Sequence, residues 1–353
     1  MEKNNGVNIF QIMSSIRLTQ SALARQLGLN QATVSRALQG SPLLPEETNA
    51  RVKAAAEAGG YRPDPGLASL VAYRRTKHPP GKGQCLAWLV SRHPEDLPTR
   101  RTYPERIFAG AQKRAHELGY RMEAFRTDAS DTSAQRLSRM LAYRRVAGIV
   151  FAPHFSPHTE MPVVLDDFAA VAIGYTVHTP RIDRVAHNHF ESMLAVCARL
   201  RERGRRRIGL CLPAHSDQRS NGLWRAAYLL DQEQTPRNRR IPLLQTGETD
   251  AASFDAWFAR WKPDAIILHL SHGGDRIDQM RRLGLRHPDD VSVALLSLPD
   301  GYELFSGIDE RTEELGAFAV EALVSRIHNN QRGVPELPRM HMIEGNWREG
   351  TTA

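Results

Sequence analysis

The sequence predicts a small all-α unit of helix-turn-helix type at the N-terminus, followed by a two-lobed α/β core. Three observations carry that expectation. Apolar residues recur at helical spacing from Leu18 to Tyr61, with a glycine turn between two short helices. Residues 76–84, TKHPPGKGQ, are rich in Pro, Gly and Lys and read as a linker. Beyond the linker, short apolar runs alternate with longer amphipathic ones over about 270 residues, which is large for one open sheet and suits two lobes.

The first helix of the N-terminal unit is set by Leu23, Ala24 and Leu27, which form one apolar stripe. Ala24 is small and lets a second helix approach closely. Gly28 follows and accepts the left-handed conformation that a tight turn needs. Asn30 is suited to cap a second helix over Gln31–Leu38. On that helix Val34, Ala37 and Leu38 turn inward, which leaves Gln31, Ala32, Thr33, Ser35 and Arg36 outside. Such a face suits reading base edges in a major groove. Gln pairs with adenine, Arg with guanine, Ser and Thr with either, and Ala meets a thymine methyl. A plain helical hairpin with a polar outer face is the competing reading. A third helix begins at Pro45, with Glu46 and Glu47 at its positive end and Gly59-Gly60 as its stop. Val52, Ala55 and Ala56 supply its inner face, and Tyr61 caps the three-helix core.

Charge agrees with this reading. The chain of 353 residues has 47 Lys and Arg against 39 Asp and Glu, a formal charge of +8. Nine basic and four acidic residues lie between Arg17 and Lys77, so the N-terminal unit holds much of the excess. Phosphate backbones attract such a unit by counterion release. No apolar stretch approaches the roughly 20 residues that span a bilayer. The opening MEKNNGVNIFQIMSS has no basic flank followed by an apolar run, so a signal peptide is not expected. Residues 1–17 read as a flexible N-terminus. Cys85, Cys197 and Cys211 are far apart in apolar segments and read as buried thiols of a reducing cytoplasm.

In the core, strands are expected at CLAWLV (85–90), VAGIVFAP (146–153), AAVAIG (169–174), RIGLCLP (207–213), DAIILHL (264–270) and VSVALLSL (291–298). Helices are expected over 105–118, 133–143, 190–203, 221–231, 254–261, 276–283 and 313–328. The alternation argues for parallel sheets covered on both faces.

The run LARQLGLNQATVSRALQGSPLLPEETNARVKAAAEAGGYRPDP resembles the DNA-binding headpiece of LacI/GalR-type transcriptional regulators. The resemblance covers residues 18 to about 70 without gaps. It implies that Gln31 and Ala32 read major-groove bases, and that Thr19, Asn30, Ser35 and Arg36 contact bases or phosphates. It also implies a hinge helix at PGLASL (65–70) that folds on the operator, with Leu70 wedged into the minor groove. Arg74, Arg75 and Lys77 extend the basic surface.

The remainder resembles the same family's ligand-binding core, which is of the type I periplasmic-binding-protein kind. Segments RRVAGIVFAP, RLRERGRRRIGLCLP, GIDERTEELGAFAVEALVSRI and EGNWREGTT carry the likeness. The resemblance implies a headpiece over 18–62, a hinge helix and linker over 63–84, and a ligand-sensing and dimerisation domain over 85–353. It further implies a small effector in the interlobe cleft, such as a sugar or sugar derivative, with Arg219 as a ligand contact. The expected partners are double-stranded operator DNA, that effector and a second copy of the chain. No membrane partner and no cofactor are expected.

Two positions depart from the sugar-binding pattern. Leu270-Ser271 stand where Asn-Asp is usual, and VAHNH (185–189) lacks the acid of the usual motif. Trp88, Tyr103, Tyr175 and Trp224 are the aromatic candidates for lining the cleft. The triplet His187-Asn188-His189 has the letters of a nuclease motif and His269/His272 a metal-compatible spacing, but neither has a companion ligand cluster in sequence. The chain has no P-loop, dinucleotide fingerprint, G-x-S-x-G or H-E-x-x-H. A non-enzyme is expected. The alternative is a cytoplasmic α/β enzyme or ligand-binding protein with a basic headpiece.

Overall fold

The structure is a computed structural model that describes residues 18–38, 44–61, 84–90, 103–126, 133–154, 159–160, 163–246, 251–270 and 275–353. Residues 1–17, Leu70 and the rest of the expected hinge helix lie outside the described residues. The chain divides into two compact units near Pro79.

The N-terminal unit has three helices: α1 (Gln20–Leu27), α2 (Gln31–Leu38) and α3 (Glu46–Ala58). Thr19 caps α1, its hydroxyl accepting from the Ala22 amide at 3.2 Å. Gly28 ends the helix in the left-handed region at φ 66°, as a sharp turn requires. Asn30 opens α2, its side-chain oxygen accepting from the Thr33 amide at 2.7 Å and the Thr33 hydroxyl at 2.9 Å. Leu23, Val34, Ala37 and Val52 are fully buried where the helices meet, with Leu18, Leu29 and Tyr61 packed around them. The Gln20 amide also donates to the Tyr61 hydroxyl at 3.0 Å, which ties the end of α3 to the start of α1.

The core begins with β1 (Cys85–Val90), α4 (Tyr103–Glu117), β2 (Arg121–Arg126), α5 (Ala134–Tyr143) and β3 (Val146–Phe151). It continues through β4 (Thr159–Glu160), β5 (Ala169–Ile173), β6 (Val177–Thr179) and β7 (Arg184–His187). The first lobe's sheet has the order β13-β7-β5-β3-β1-β2, all parallel, with β13 spanning Met340–Ile343. Alternation sorts its side chains to two faces. Leu86 and Trp88 pack with α4 and with α11 (Thr312–His328), whereas Cys85, Ala87 and Leu89 pack with α5.

The second lobe holds α6 (His189–Glu202), β8 (Ile208–Pro213), α7 (Ala214–Arg219), α8 (Leu223–Gln234), β9 (Leu244–Thr246) and α9 (Ala251–Trp261). After these come β10 (Ala265–Leu268), α10 (Asp275–Arg282), β11 (Ser292–Leu295), β12 (Ser306–Asp309) and, past β13, β14 (Asn346–Arg348). Its sheet has the order β14-β12-β11-β10-β8-β9, parallel except for β14 against β12. One face packs on α6 and α8 through Met193, Leu200 and Tyr228; the other packs on α9 and α10 through Phe254 and Met280.

Three stretches among the described residues pass between the lobes: Asn188 after β7, Glu310-Arg311 after β12, and Glu344-Gly345 after β13. The second returns the chain as α11 to the first lobe, where α11 lies against α4 at backbone contact distance. A Cβ on Gly110 would sit 1.9 Å from the Glu313 carbonyl oxygen, and one on Gly316 would sit 2.0 Å from that of Ile107.

Two expectations need correction. The helix expected from residue 221 starts at Leu223, because Asn221 and Gly222 both take positive φ, 56° and 70°, and cannot continue a right-handed helix. Trp88, a candidate for lining the cleft, belongs to the first lobe's core and packs on Phe108.

Candidate functional site

On the headpiece, Thr19, Asn30, Gln31 and Arg36 are exposed, and Thr33 and Ser35 are partly so. Ala32 lies one residue after the start of α2. Because α2 buries Val34 and Ala37, the helical period leaves Gln31, Ser35 and Arg36 outside. Thr33 is spent in part on Asn30, so these two residues also shape the N-terminus of the helix they decorate.

A second set of polar residues gathers where the lobes meet. Tyr175 follows β5, His187 ends β7, His269 follows β10 and Glu310 follows β12, so each lies at the carboxyl end of a strand. Open parallel sheets present their ligand-binding residues at this edge. The rings form a row. The centroids of Tyr103 and His187 are 6.1 Å apart, His187 and His189 5.8 Å, His189 and Trp224 4.3 Å, and Trp224 and His269 4.8 Å. Tyr175 joins His189 at 5.8 Å, and its hydroxyl donates to the His187 carbonyl oxygen at 3.1 Å. Tyr103, Tyr175 and His187 come from the first lobe, and His189, Trp224 and His269 from the second.

His187 is the last residue of a first-lobe strand and His189 the first of a second-lobe helix, with Asn188 between them as the cap of α6. The two imidazoles therefore straddle a crossover. His189 Nδ1 lies 3.6 Å from Glu310 Oε1 on another crossover, while Glu310 Oε2 accepts from the Ser297 hydroxyl at 2.6 Å.

Burial dominates the electrostatics here. It lowers the pKa of His187, although Glu310 and Asp309 pull the other way. It holds His189 well below the usual imidazole value, helped by His187, His269 and Arg219. It brings His269 down to about 3, with Arg219 and His215 adding to the effect. It pushes the Tyr103 phenol well up, with Glu310 adding and Arg219 opposing. The guanidinium of Arg219, at the end of α7, thus acts on Tyr103, His189 and His269 together. The three imidazoles are neutral at physiological pH, each with one donor and one acceptor nitrogen.

The seam also holds buried hydrogen-bonding atoms without a partner among the described residues. They are both ring nitrogens of His187, Nδ1 of His189 and His269, and Nε1 of Trp224. Buried polar atoms are normally satisfied, so such a concentration marks unused binding capacity. No group of three metal-ligating side chains occurs among the described residues.

Residues 197–346 match the family described as periplasmic binding protein-like domain. The HTH-type transcriptional regulator PtxS of Pseudomonas plecoglossicida is 24% identical over 324 residues, which cover 89% of this chain and 91% of that protein. A transcriptional regulator CelR–cellobiose complex superposes with a TM-score of 0.54 at 19% identity, covering 96% of this chain and all of the other (100%). The lac repressor dimer bound to operator and the anti-inducer ONPF gives 0.55 at 16% identity, covering 95% of this chain and 99% of the other. A headpiece and a two-lobed core of this kind therefore coexist in one chain. Over most of its length the chain is similar to LacI-type transcriptional regulators.

The seam brings together Tyr103, Tyr175 and Trp224, with Arg219 acting on it electrostatically, all singled out from the sequence. In sequence the three histidines belong to spacings without a companion ligand cluster. What sequence reasoning missed is their placement. His187 and His269 each close an apolar strand run, at the edge where α/β ligand sites form.

Proposed function

We propose that the chain is a repressor that binds a pseudo-palindromic operator as a homodimer and is switched by a small molecule in the interlobe seam. It works where DNA is, in the cytoplasm, and by binding rather than by chemical turnover. The observation that carries the reading is the union, in one chain, of an outward Gln31/Ser35/Arg36 helix face with buried nitrogens that straddle a crossover and have no partner among the described residues.

One α2 helix enters the major groove at each half-site, with Gln31, Ala32, Thr33, Ser35 and Arg36 toward base edges and Thr19 and Asn30 toward the backbone. Half-site geometry needs two headpieces, and the lac repressor, a similar fold, is a dimer on its operator. Residues 65–70 are proposed to form the minor-groove element, with Leu70 as the wedge. A similar structure is a CelR–cellobiose complex, and the small molecule is assigned here to the seam of Tyr103, Trp224 and the three histidines, beside Arg219. Ligand and DNA are then coupled reciprocally, by a typical 1–3 kcal/mol or about 5–150-fold.

The test is an anisotropy titration of the full chain against duplexes from its own upstream region and scrambled duplexes of equal length. One duplex is expected to bind far more tightly than its scrambled form. Equal, weak and salt-sensitive binding to every duplex would overturn the reading.

A further inference from the structure

We propose that the second lobe carries an anion-binding face at the amino ends of its strands, and that this face takes the phosphate backbone of a second stretch of double-stranded DNA. The face lies at the opposite end of the lobe from the seam and needs no effector. It adds to the regulator reading a DNA contact that reads no sequence.

Three connections build the face. Residues 203–207 lead into β8, 235–243 into β9 and 262–264 into β10, three parallel neighbours in the sheet. Together these connections hold eight Lys or Arg and a single acid, Asp264. Arg207 clasps them to one another. Its guanidinium donates to the carbonyl oxygens of Asn238 at 2.9 Å, of Lys262 at 3.1 Å and of Trp261. Asp264 is turned to the backbone, where it accepts from the Arg206 amide at 2.9 Å and the Arg207 amide at 2.8 Å. It therefore pairs with none of the guanidinium groups around it.

The other arginines are fixed without being neutralised. Arg205 donates to the Pro288 carbonyl oxygen at 2.7 Å, and Arg240 to those of Thr235 at 2.7 Å and Glu233 at 2.6 Å. A guanidinium held by a carbonyl keeps its full charge and has donors to spare. Arg206, Arg237 and Arg239 make no hydrogen bond or ion pair through their side chains among the described residues, and the first two are exposed. The surplus has edges: Arg203 pairs with Glu349, and Arg286 on the next connection pairs with Asp290 at 3.1 Å. Like charges held together repel, and an external anion relieves that repulsion. Planar guanidinium forks match phosphate oxygens, and a run of phosphates meets several forks at once while releasing its counterions. A membrane or a protein partner would need apolar contact as well. None of the large exposed apolar side chains lies in these three connections.

The experiment is a two-duplex capture with the full chain. A surface-bound duplex of scrambled sequence is loaded with protein at about 50 mM salt, and a second, labelled scrambled duplex is then offered. The loaded chain is expected to capture the second duplex. Between about 50 and 200 mM salt that capture should weaken about fortyfold, from three phosphate contacts at a slope of about −0.9 each. The triple variant Arg206→Gln, Arg237→Gln, Arg239→Gln removes charge without breaking a side-chain bond. It is expected to load like the parent chain and to capture the second duplex at least about tenfold more weakly. A matched first-lobe variant, Arg126→Gln, Arg136→Gln, Arg139→Gln, has the same net charge and should capture normally. Melting temperatures separate a lost contact from a lost fold. No capture by the parent chain overturns the proposal, and so does undiminished capture by the triple variant. Equal loss in the matched variant overturns it too, since overall charge would then be the cause. Polyglutamate that displaces the second duplex at equal charge would reassign the face to an acidic protein. If only the triple variant fails to load, the face holds DNA and the regulator reading falls; if the parent chain fails to load, both fall.

Discussion

His189 Nδ1 stands 3.6 Å from Glu310 Oε1, so two stretches of chain that pass between the lobes touch each other through their side chains. The third joins them. A Cβ on Gly345 would meet Ile308 Cγ2 at 2.4 Å and the Asp309 carbonyl oxygen at 3.2 Å, so only glycine lets that stretch lie so close to β12. On the proposed reading, a ligand at His189 would act on the segments that join the lobes, as a hinge-closure switch requires.

Glu310 is the group on which this arrangement depends. Glu310→Ala leaves the Ser297 hydroxyl without its acceptor and should cost about 1–3 kcal/mol. Urea denaturation of the full chain measures the loss. Glu310→Gln keeps an acceptor for Ser297 and should recover most of it.

Acidification should destabilise the core. In the folded chain His187, His189 and His269 are neutral because burial opposes their charge, the last down to about pH 3. The unfolded chain takes up protons on these residues below about pH 6.5. Between those limits it binds more protons than the native state, so stability is full above about pH 6.5 and falls as pH drops. Each such histidine contributes a slope of at most about 1.4 kcal/mol per pH unit. His269→Gln should flatten the curve of melting temperature against pH between 6.5 and 4, by about one histidine's share.

The α4–α11 contact admits no side chain at two positions. Gly110→Ala places a methyl against the backbone of Glu313 and should cost at least about 1–3 kcal/mol, the usual penalty of overpacking. Thermal melts of the variant and the parent protein decide it. An unchanged melting temperature would show that α11 can move away at no cost.

In the headpiece, Asn30→Ala removes the acceptor for both the amide and the hydroxyl of Thr33. About 1 kcal/mol should be lost. Hydrogen exchange in α2 should rise while that of β3 and β8 stays unchanged. Arg36→Ala leaves the capping intact and should weaken operator binding by about 1–3 kcal/mol, with the melt of the core unaffected.

The headpiece was legible from the sequence residue by residue. Its signals are local: Thr19 and Asn30 cap helices within three residues of themselves, and Gly28 turns the chain where it stands. The strands of the core were legible too, because parallel strands buried on both faces read as unbroken apolar runs such as 85–90 and 291–298. The edge elements were harder. β13 pairs on one side and leaves Met340 and Met342 exposed, so neither a solid apolar run nor a clean alternation marks it. Gly110 and Gly316 looked like ordinary helix residues, since the backbone each one meets lies about 200 positions away in the chain.

By itself the sequence determined the headpiece helices and the strand-helix alternation, because each rests on spacings of a few residues that local chemistry enforces. Only the tertiary structure decided what the candidate site is made of. His187, His189, Trp224 and His269 become neighbours when two sheets are brought edge to edge by three crossovers. Their neutral charge state follows from that burial, a property of the assembled lobes that no spacing along the chain encodes.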